Sequence, residues 1–514
     1  MRKLKHILAS IAVIALAASC DLDQVVFSDL TDSNYPRKEE DYQSLVDGMY
    51  GYLKGNSGGV RMERTQFIQN VGWKTPIWSM GELGWLGWNL CTTDQMTNSN
   101  ATNKNHRFQT QISTSKWERV YQYCKDVSRM TYIIGKLEES NISDAAKTRL
   151  IAEAKALRGS FMFMCYDMFG PVQVVLDPAK IEDIKYEARP SKEDYVSWMI
   201  KDFEDAIPGL QGKTNNTKDW GRLNQGYCYM YLGRIYMKER QWQKAIDAFE
   251  PVLKLGYSMS DDYFEPFSKE QSDENIWCVP GGETAANEFF LYAIPGNAKV
   301  LYGINPAHAT DGQAGHKVNK AWGSWCMPWA YYDTFSENDI RRQGIAASFL
   351  ATDGNVYDRE NPGPGTSRFN TGVVVCKYLT SYEKMVAGDI HIVVFRLPEV
   401  YLSLAECYTR LGSAPTAKAV EYLKMTTDRA GITDEIPAAV FTDKQKFLDF
   451  ILEERGHEFY WEGQRRDDLI RYDRLISSAL ERGFSDATDR CLYMPIPQDV
   501  ITASGGLVEQ NPGY

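Results

Sequence analysis

The chain is predicted to be mainly α, a helical-repeat scaffold interrupted by a long, irregular, loop-rich insertion. Three observations lead there. Residues 116–139 and 144–168 form two long amphipathic patterns joined by Asn141-Ile142-Ser143-Asp144, and helical patterns recur at 191–207, 222–238, 241–254, 398–411, 415–430, 443–460 and 462–480. The segment Tyr229–Tyr257 carries Leu232-Gly233 and Tyr236, then Ala245 and Phe249, which is the L-G-x2-Y…A-x3-F spacing of a tetratricopeptide-like repeat. Residues 257–395 instead are rich in Gly, Pro and Asn, and their helical patterns are short.

Each element has a local reason. In the repeat, small Gly233 and Ala245 let two helices approach, and Tyr236 and Phe249 fill the space beside them. A second unit, 398–430, carries Leu404-Ala405, Tyr408, Ala417 and Ala419. Ser143 is placed to cap the helix that follows it, and Phe169-Gly170-Pro171 should stop that helix. Val172–Leu176 reads as a short extended stretch, Val373–Val375 and Ile390–Arg396 as short strands, 39–54 as a helix, 55–112 as loops with short helices, and 490–514 as an extended tail.

The first residues are a targeting segment. Arg2, Lys3 and Lys5 precede an apolar run, Ile7–Ala17, that is too short to span a bilayer. Ala17-Ala18-Ser19-Cys20 follows and resembles the lipobox of bacterial lipoproteins, with Cys20 as the lipid-attachment residue. Residues 1–19 are therefore expected to be a lipoprotein signal peptide and 20–36 a lipid-anchored tether. Residues 37–514 would be one domain, with helical repeats roughly at 116–256 and 396–480 around an irregular insertion at 257–395.

Composition narrows the function. With 57 Lys+Arg against 68 Asp+Glu the net charge is −11, and no basic stretch suits a phosphate backbone, so nucleic acid is not an expected partner. Beyond Cys20, nine cysteines are scattered and never paired as CxxC, which suits small buried hydrophobes better than disulfides or zinc. Gly55-Asn56-Ser57-Gly58-Gly59 fits G-x-S-x-G but lacks the strand before and helix after that a nucleophile elbow needs. His457-Glu458 begins like H-E-x-x-H, yet position 461 is Trp. Glu453-Glu454 and Asp467-Asp468 lie on helical patterns, where neighbours diverge by about 100°, and suit ion pairs and caps. No catalytic residue, metal site or cofactor is expected; calcium has no EF-hand spacing to support it.

The ligand candidates are aromatic. Trp73, Trp78, Trp85 and Trp88 lie in Gly-interrupted sequence, and flat rings held on loops can stack on the C–H faces of sugars; core packing is the competing role. Asn89 and Asp94, with Thr92, Thr93 and Asn98, are placed to bond hydroxyls.

Four further motifs tie the chain to a family. Ala152-Glu153-Ala154-Lys155-Ala156-Leu157-Arg158 leads to Phe169-Gly170-Pro171-Val172. Arg396-Leu397-Pro398-Glu399-Val400-Tyr401-Leu402 leads to Ala405-Glu406 and Arg429-Ala430-Gly431. Glu453-Glu454-Arg455 leads to Glu462-Gly463-Gln464-Arg465-Arg466 and Asp468-Leu469-Ile470-Arg471. The chain closes with Tyr493-Met494-Pro495-Ile496-Pro497 and Gln510-Asn511-Pro512-Gly513-Tyr514. Over nearly its whole mature length the chain resembles the SusD/RagB family, surface lipoproteins of Bacteroidetes that bind nutrients for an outer-membrane transporter; Pro171 stands where that family usually has Asp.

The resemblance implies about four tetratricopeptide-like helix pairs and a binding site in the insertion, which brings Trp322 and Trp325 forward as ligand contacts. It implies a non-enzymatic protein, lipid-anchored in the outer membrane and facing outward. Such a protein hands an oligo- or polysaccharide to a SusC-like TonB-dependent transporter. A peptide ligand in the same role, a surface glycoside hydrolase and a scaffold for protein partners are the alternatives. Cys20→Ala is expected to release the mature protein from the membrane fraction without changing its ligand affinity in solution, as fractionation and titration would measure.

Overall fold

The computed structural model describes residues 35–53, 85–98, 108–109, 121, 123–215, 217–269, 271–280, 293–304, 316–317, 325–364, 371–378 and 391–514. In chain order the helices are α1 (Glu39–Tyr50), α2 (Trp85–Cys91), α3 (Tyr123–Glu139), α4 (Asp144–Phe169), α5 (Lys192–Ala206), α6 (Gln225–Lys238), α7 (Trp242–Phe249), α8 (Glu265–Ser268), α9 (Trp329–Tyr332), α10 (Leu397–Leu411), α11 (Ala417–Ala430), α12 (Lys444–Glu458), α13 (Arg465–Arg471), α14 (Leu475–Glu481) and α15 (Gln498–Ala503). The strands are β1 (Thr97–Asn98), β2 (Asn275–Val279), β3 (Ala298–Tyr302), β4 (His316–Lys317), β5 (Trp325–Pro328), β6 (Ile345–Ala346), β7 (Ser348–Ala351), β8 (Val356–Tyr357), β9 (Gly372–Val375) and β10 (Ile392–Arg396). No helix among the described residues is long and apolar enough to cross a membrane.

Successive helices pack as antiparallel neighbours: α3 on α4, α4 on α5, α5 on α6, α6 on α7. Helix α7 then lies against α10, which also packs on α11 and α12, so the two helical runs form one tetratricopeptide-like scaffold across the intervening insertion. Among the described residues the insertion, with β1 joining from before the scaffold, forms three small antiparallel sheets, ordered β1-β5-β9-β6, β10-β2 and β4-β3-β7-β8.

The local signals act as their chemistry dictates. Ser143 Oγ accepts from the Ala146 amide at 3.3 Å, and Gly170, at φ 72°, ends α4 in a conformation that a side chain would strain. A Cβ built on Gly233 would fall inside the van der Waals envelope of the Phe249 ring, so α6 and α7 close only because residue 233 has no side chain. Val172–Leu176 forms neither helix nor ladder, and Thr131 Oγ donates to the Val175 carbonyl at 2.7 Å. Two expectations change. The 490–514 tail is not wholly extended, since it holds α15. The 462–480 helix breaks into α13 and α14 where Asp473 adopts φ 58°.

The scaffold and the sheets meet at a buried cluster of charge. Arg396, where β10 becomes α10, bonds Glu462 (2.9 and 2.8 Å), Glu274 (3.2 Å) and Glu458. Arg429 at the end of α11 bonds Glu274 and Glu458, both at 2.5 Å. Arg341 forks onto Glu454 (2.8 and 2.9 Å) and Asp339, and reaches Glu458 at 3.2 Å. Lys377 completes the cluster on Glu462. Burial alone would push the Glu458 carboxyl up, but Arg429, Arg396 and Arg341 hold it well below its ordinary range.

The motif residues outside the cluster are also structural. Arg158 forks onto Asp202 (2.8 and 2.6 Å) and donates to Thr131, tying α3, α4 and α5 together. Asn511 donates to the Phe169 and Met494 carbonyls (3.1 and 2.6 Å), while Arg189 bonds Phe169, Pro171 and Asn511 around the same turn.

Arg396→Met leaves buried carboxylates without their cation and is expected to destabilise by about 3–5 kcal/mol in chemical denaturation. Glu458, Glu406 and Asp468 all have folded pKa values depressed below their ordinary ones, 4.5 for glutamate and 3.8 for aspartate. Their contribution is therefore complete above those ordinary values and is lost as pH falls below them; thermal melts should drop steeply from roughly pH 5 to 3. Gly233→Val should cost about 1–3 kcal/mol by overpacking, read from the same denaturation curves.

Candidate functional site

Several sequence candidates lie in the interior. Trp85, Trp88 and Trp325 are each 2% exposed and Asn89 is fully buried. Trp85 Nε1 donates to Asp167 at 2.7 Å, and Asn89 Nδ2 bonds the same carboxylate at 3.2 Å. The Trp88 ring packs against the Arg466 guanidinium, 4.5 Å from its centroid. Trp325 sits in β5, paired with Asn98 of β1. Asp94 is gripped by Arg465 at 3.0 and 2.7 Å; burial would raise its pKa, but the guanidinium holds it below the usual value. In this arrangement these side chains brace α2 and β5 against the scaffold, with no open face for a sugar ring. Trp73, Trp78, Trp322, Cys20 and the 55–59 motif lie outside the described residues.

The ion pairs expected of the acidic doublets are present. Glu454 meets Arg341, Asp467 meets Lys238 at 2.7 Å, and Asp468 meets Arg455 and Arg471 at 2.9 and 2.7 Å. Around Asp467, Asp468, Arg234, Lys238, Glu399 and Trp85 is a cavity of about 40 Å³, room for a water or two and far too small for a ligand. His457 is buried, its Nε2 2.8 Å from Thr334 Oγ, and burial holds its pKa well below the ordinary value. Trp461, in the place of a second metal ligand, donates to the Gln95 carbonyl.

An open cleft of about 260 Å³ lies elsewhere, between the end of β3 and the 332–348 segment. Its wall includes Tyr302, Tyr332, Asn338, Arg342, Gln343 and Ser348. Local sequence builds it. Strand β5 buries Trp325 and Met327, and Pro328 starts α9. Tyr331 then turns inward against Phe335 and His457, which leaves Trp329 and Tyr332, three residues apart, half-buried on the outer face. Their rings meet edge-on, with centroids 5.8 Å apart at 83°.

Two arginines hold these rings in place. Arg359 lies over Trp329 at 4.8 Å and forks onto Asp333 at 3.0 and 2.7 Å. Arg342 lies over Tyr332 at 4.7 Å and donates to its hydroxyl at 2.8 Å. Gly303, just after β3, also lines the cleft and adopts a φ of 79°, a conformation that suits glycine. Asn338 is oriented by Glu435 at 2.6 Å. An aromatic ring face beside amide, hydroxyl and guanidinium groups can hold an uncharged, hydroxyl-rich ring: apolar C–H edges on the aromatic, hydroxyls on the polar wall.

Sequence reasoning did not select Trp329 and Tyr332. The signal was the switch of period at Pro328: alternation through β5 puts Trp325 inward, and the helical step from Trp329 to Tyr332 then puts both on one face.

Comparison with known proteins agrees with this architecture. The sequence model described as SusD family matches residues 329–514. SusD-like protein P25 of Formosa agariphila is 22% identical, over the whole of both chains. A laminarin binding SusD-like protein superposes with TM-score 0.72 at 18% identity, covering 93% of this chain and 100% of its own. Surface glycan-binding protein A from Bacteroides thetaiotaomicron, in complex with laminarihexaose, superposes with TM-score 0.68 at 19% identity, covering 92% and 99%. Sequence model, full-length relative and backbone point the same way: residues 329–514 match the SusD family, and the chain as a whole has the fold of SusD-like proteins.

Proposed function

We propose that this protein is a non-catalytic glycan-binding lipoprotein of the cell surface. It captures an oligo- or polysaccharide and passes it to a SusC-like TonB-dependent transporter in the outer membrane. The observation that carries the reading is Tyr332, which with Arg342 lines an open cleft with polar walls and has the half-buried Trp329 ring, under Arg359, edge-on beside it. A ring platform fixed before binding loses little side-chain entropy when the ligand arrives, which suits capture of a flexible chain. Support also comes from the structural neighbours, whose names record laminarin and laminarihexaose.

Trp73, Trp78 and Trp322 are proposed as further ligand contacts. Cys20 would hold the protein to the membrane, and the polar 21–36 segment would let it swing over the barrel. No step in this role needs an acid, base or metal ion, and the chain's buried carboxylates are committed to arginines and lysines.

Isothermal titration against a panel of soluble glycans should give saturable binding to at least one. Trp329→Ala and Tyr332→Ala should each weaken it by about tenfold or more, with unchanged melting curves. Binding to peptides alone would overturn the sugar assignment, and release of reducing ends by the purified protein would overturn the non-catalytic one.

A further inference from the structure

Among the buried thiols, two face each other. Cys124 lies in the first turn of α3 and Cys165 in the last turns of α4, and the two helices pack antiparallel, so residues 41 apart in sequence are brought together. Cys124 Sγ–H donates to Cys165 Sγ at 3.3 Å, about 1.3 Å beyond a disulfide bond length. The other thiols behave differently: Cys91, Cys376 and Cys491 donate to backbone carbonyls. Tyr121, Tyr123, Phe161 and Phe169 enclose this end of the helix pair, with Tyr121 edge-on to Phe169 at 5.2 Å and Tyr123 edge-on to Phe161 at 6.1 Å.

We infer that Cys124 and Cys165 form a disulfide that staples α3 to α4 when the chain folds in an oxidising compartment. The oxidising setting rests on the surface location proposed above; the pairing itself rests on the geometry. The chemistry is thiol–disulfide exchange with a disulfide oxidant such as oxidised glutathione. One thiolate attacks the oxidant and releases a thiol; the other attacks the mixed disulfide and releases a second. The S–S bond forms between the two Sγ atoms, and both protons and both electrons leave with the reduced oxidant.

Timing follows from burial. In the folded core burial pushes the Cys165 thiol well up, so the thiolate that must attack is scarce there. The bond therefore closes while the helix pair is docking. It constrains a loop of about 40 residues in the unfolded chain, the kind of constraint from which a disulfide draws most of its stabilisation.

The test uses the full mature chain, refolded with reduced and oxidised glutathione, alkylated in denaturant, digested with trypsin and mapped by mass spectrometry. The expected product joins Val120–Lys125 to Gly159–Lys180, is lighter than the two thiol peptides by two hydrogen atoms, and disappears on reduction. Cys228→Ala keeps the product and Cys165→Ala abolishes it. Correctly folded wild-type protein that yields both peptides fully alkylated overturns the inference. Protein isolated from cells should carry the same link. Free thiols in that material, with the link formed on refolding, would uphold the pairing and overturn the surface location instead.

Discussion

Arg396 stands where β10 becomes α10, and its guanidinium touches carboxylates from the β2 approach, from α12 and from the turn after α12. Arg429 and Arg341 bring in the end of α11 and the segment beside the cleft. Every one of these groups is buried, so each has given up its hydration. That loss is offset only when all partners are present in the right geometry, because a buried charge missing one neighbour is worse than no charge at all. An apolar contact tolerates a slide of an ångström, and a forked arginine does not. The cluster thereby sets how β10, the β2 approach and the 339–341 segment sit on α11 and α12.

Its reach extends to the cleft. Asp339 and Arg341 belong to the cluster, and Asn338 and Arg342, their immediate neighbours, face the open side. The cleft wall is thus the outer surface of a segment whose inner surface is locked by ion pairs. Tyr331 and Tyr332 divide in the same way, one ring against His457 and the other on the rim. Rigidity beneath and openness above come from adjacent residues of one short stretch.

The scaffold was legible because its signals are local. A serine before a helix, a glycine after one, and a glycine four turns of logic away from a phenylalanine in a helical hairpin can each be read within a few dozen residues. The four family motifs were also legible, and the structure shows them bonded to one another: the Phe169-Gly170-Pro171 turn to Asn511, and Arg396 to Glu458 and Glu462. The site was less legible. Whether a tryptophan stacks on a ligand or fills a core depends on what covers it, and the partners are remote in sequence, 82 residues away for Trp85 and 371 for Asp94. The Cys124–Cys165 approach was hidden for the same reason, since no short spacing marks it.

The seam between Asn511 and Phe169 joins residues 342 apart. A chain that emerges N-terminus first, from a ribosome or through a membrane channel, must present nearly all of its length before that seam can close. Until then α4 lacks the partner that seals its end, and the long-range contacts that make the fold cooperative are missing. Late closure follows from the connectivity: the chain becomes one cooperative unit only once Asn511 is available to dock on the end of α4.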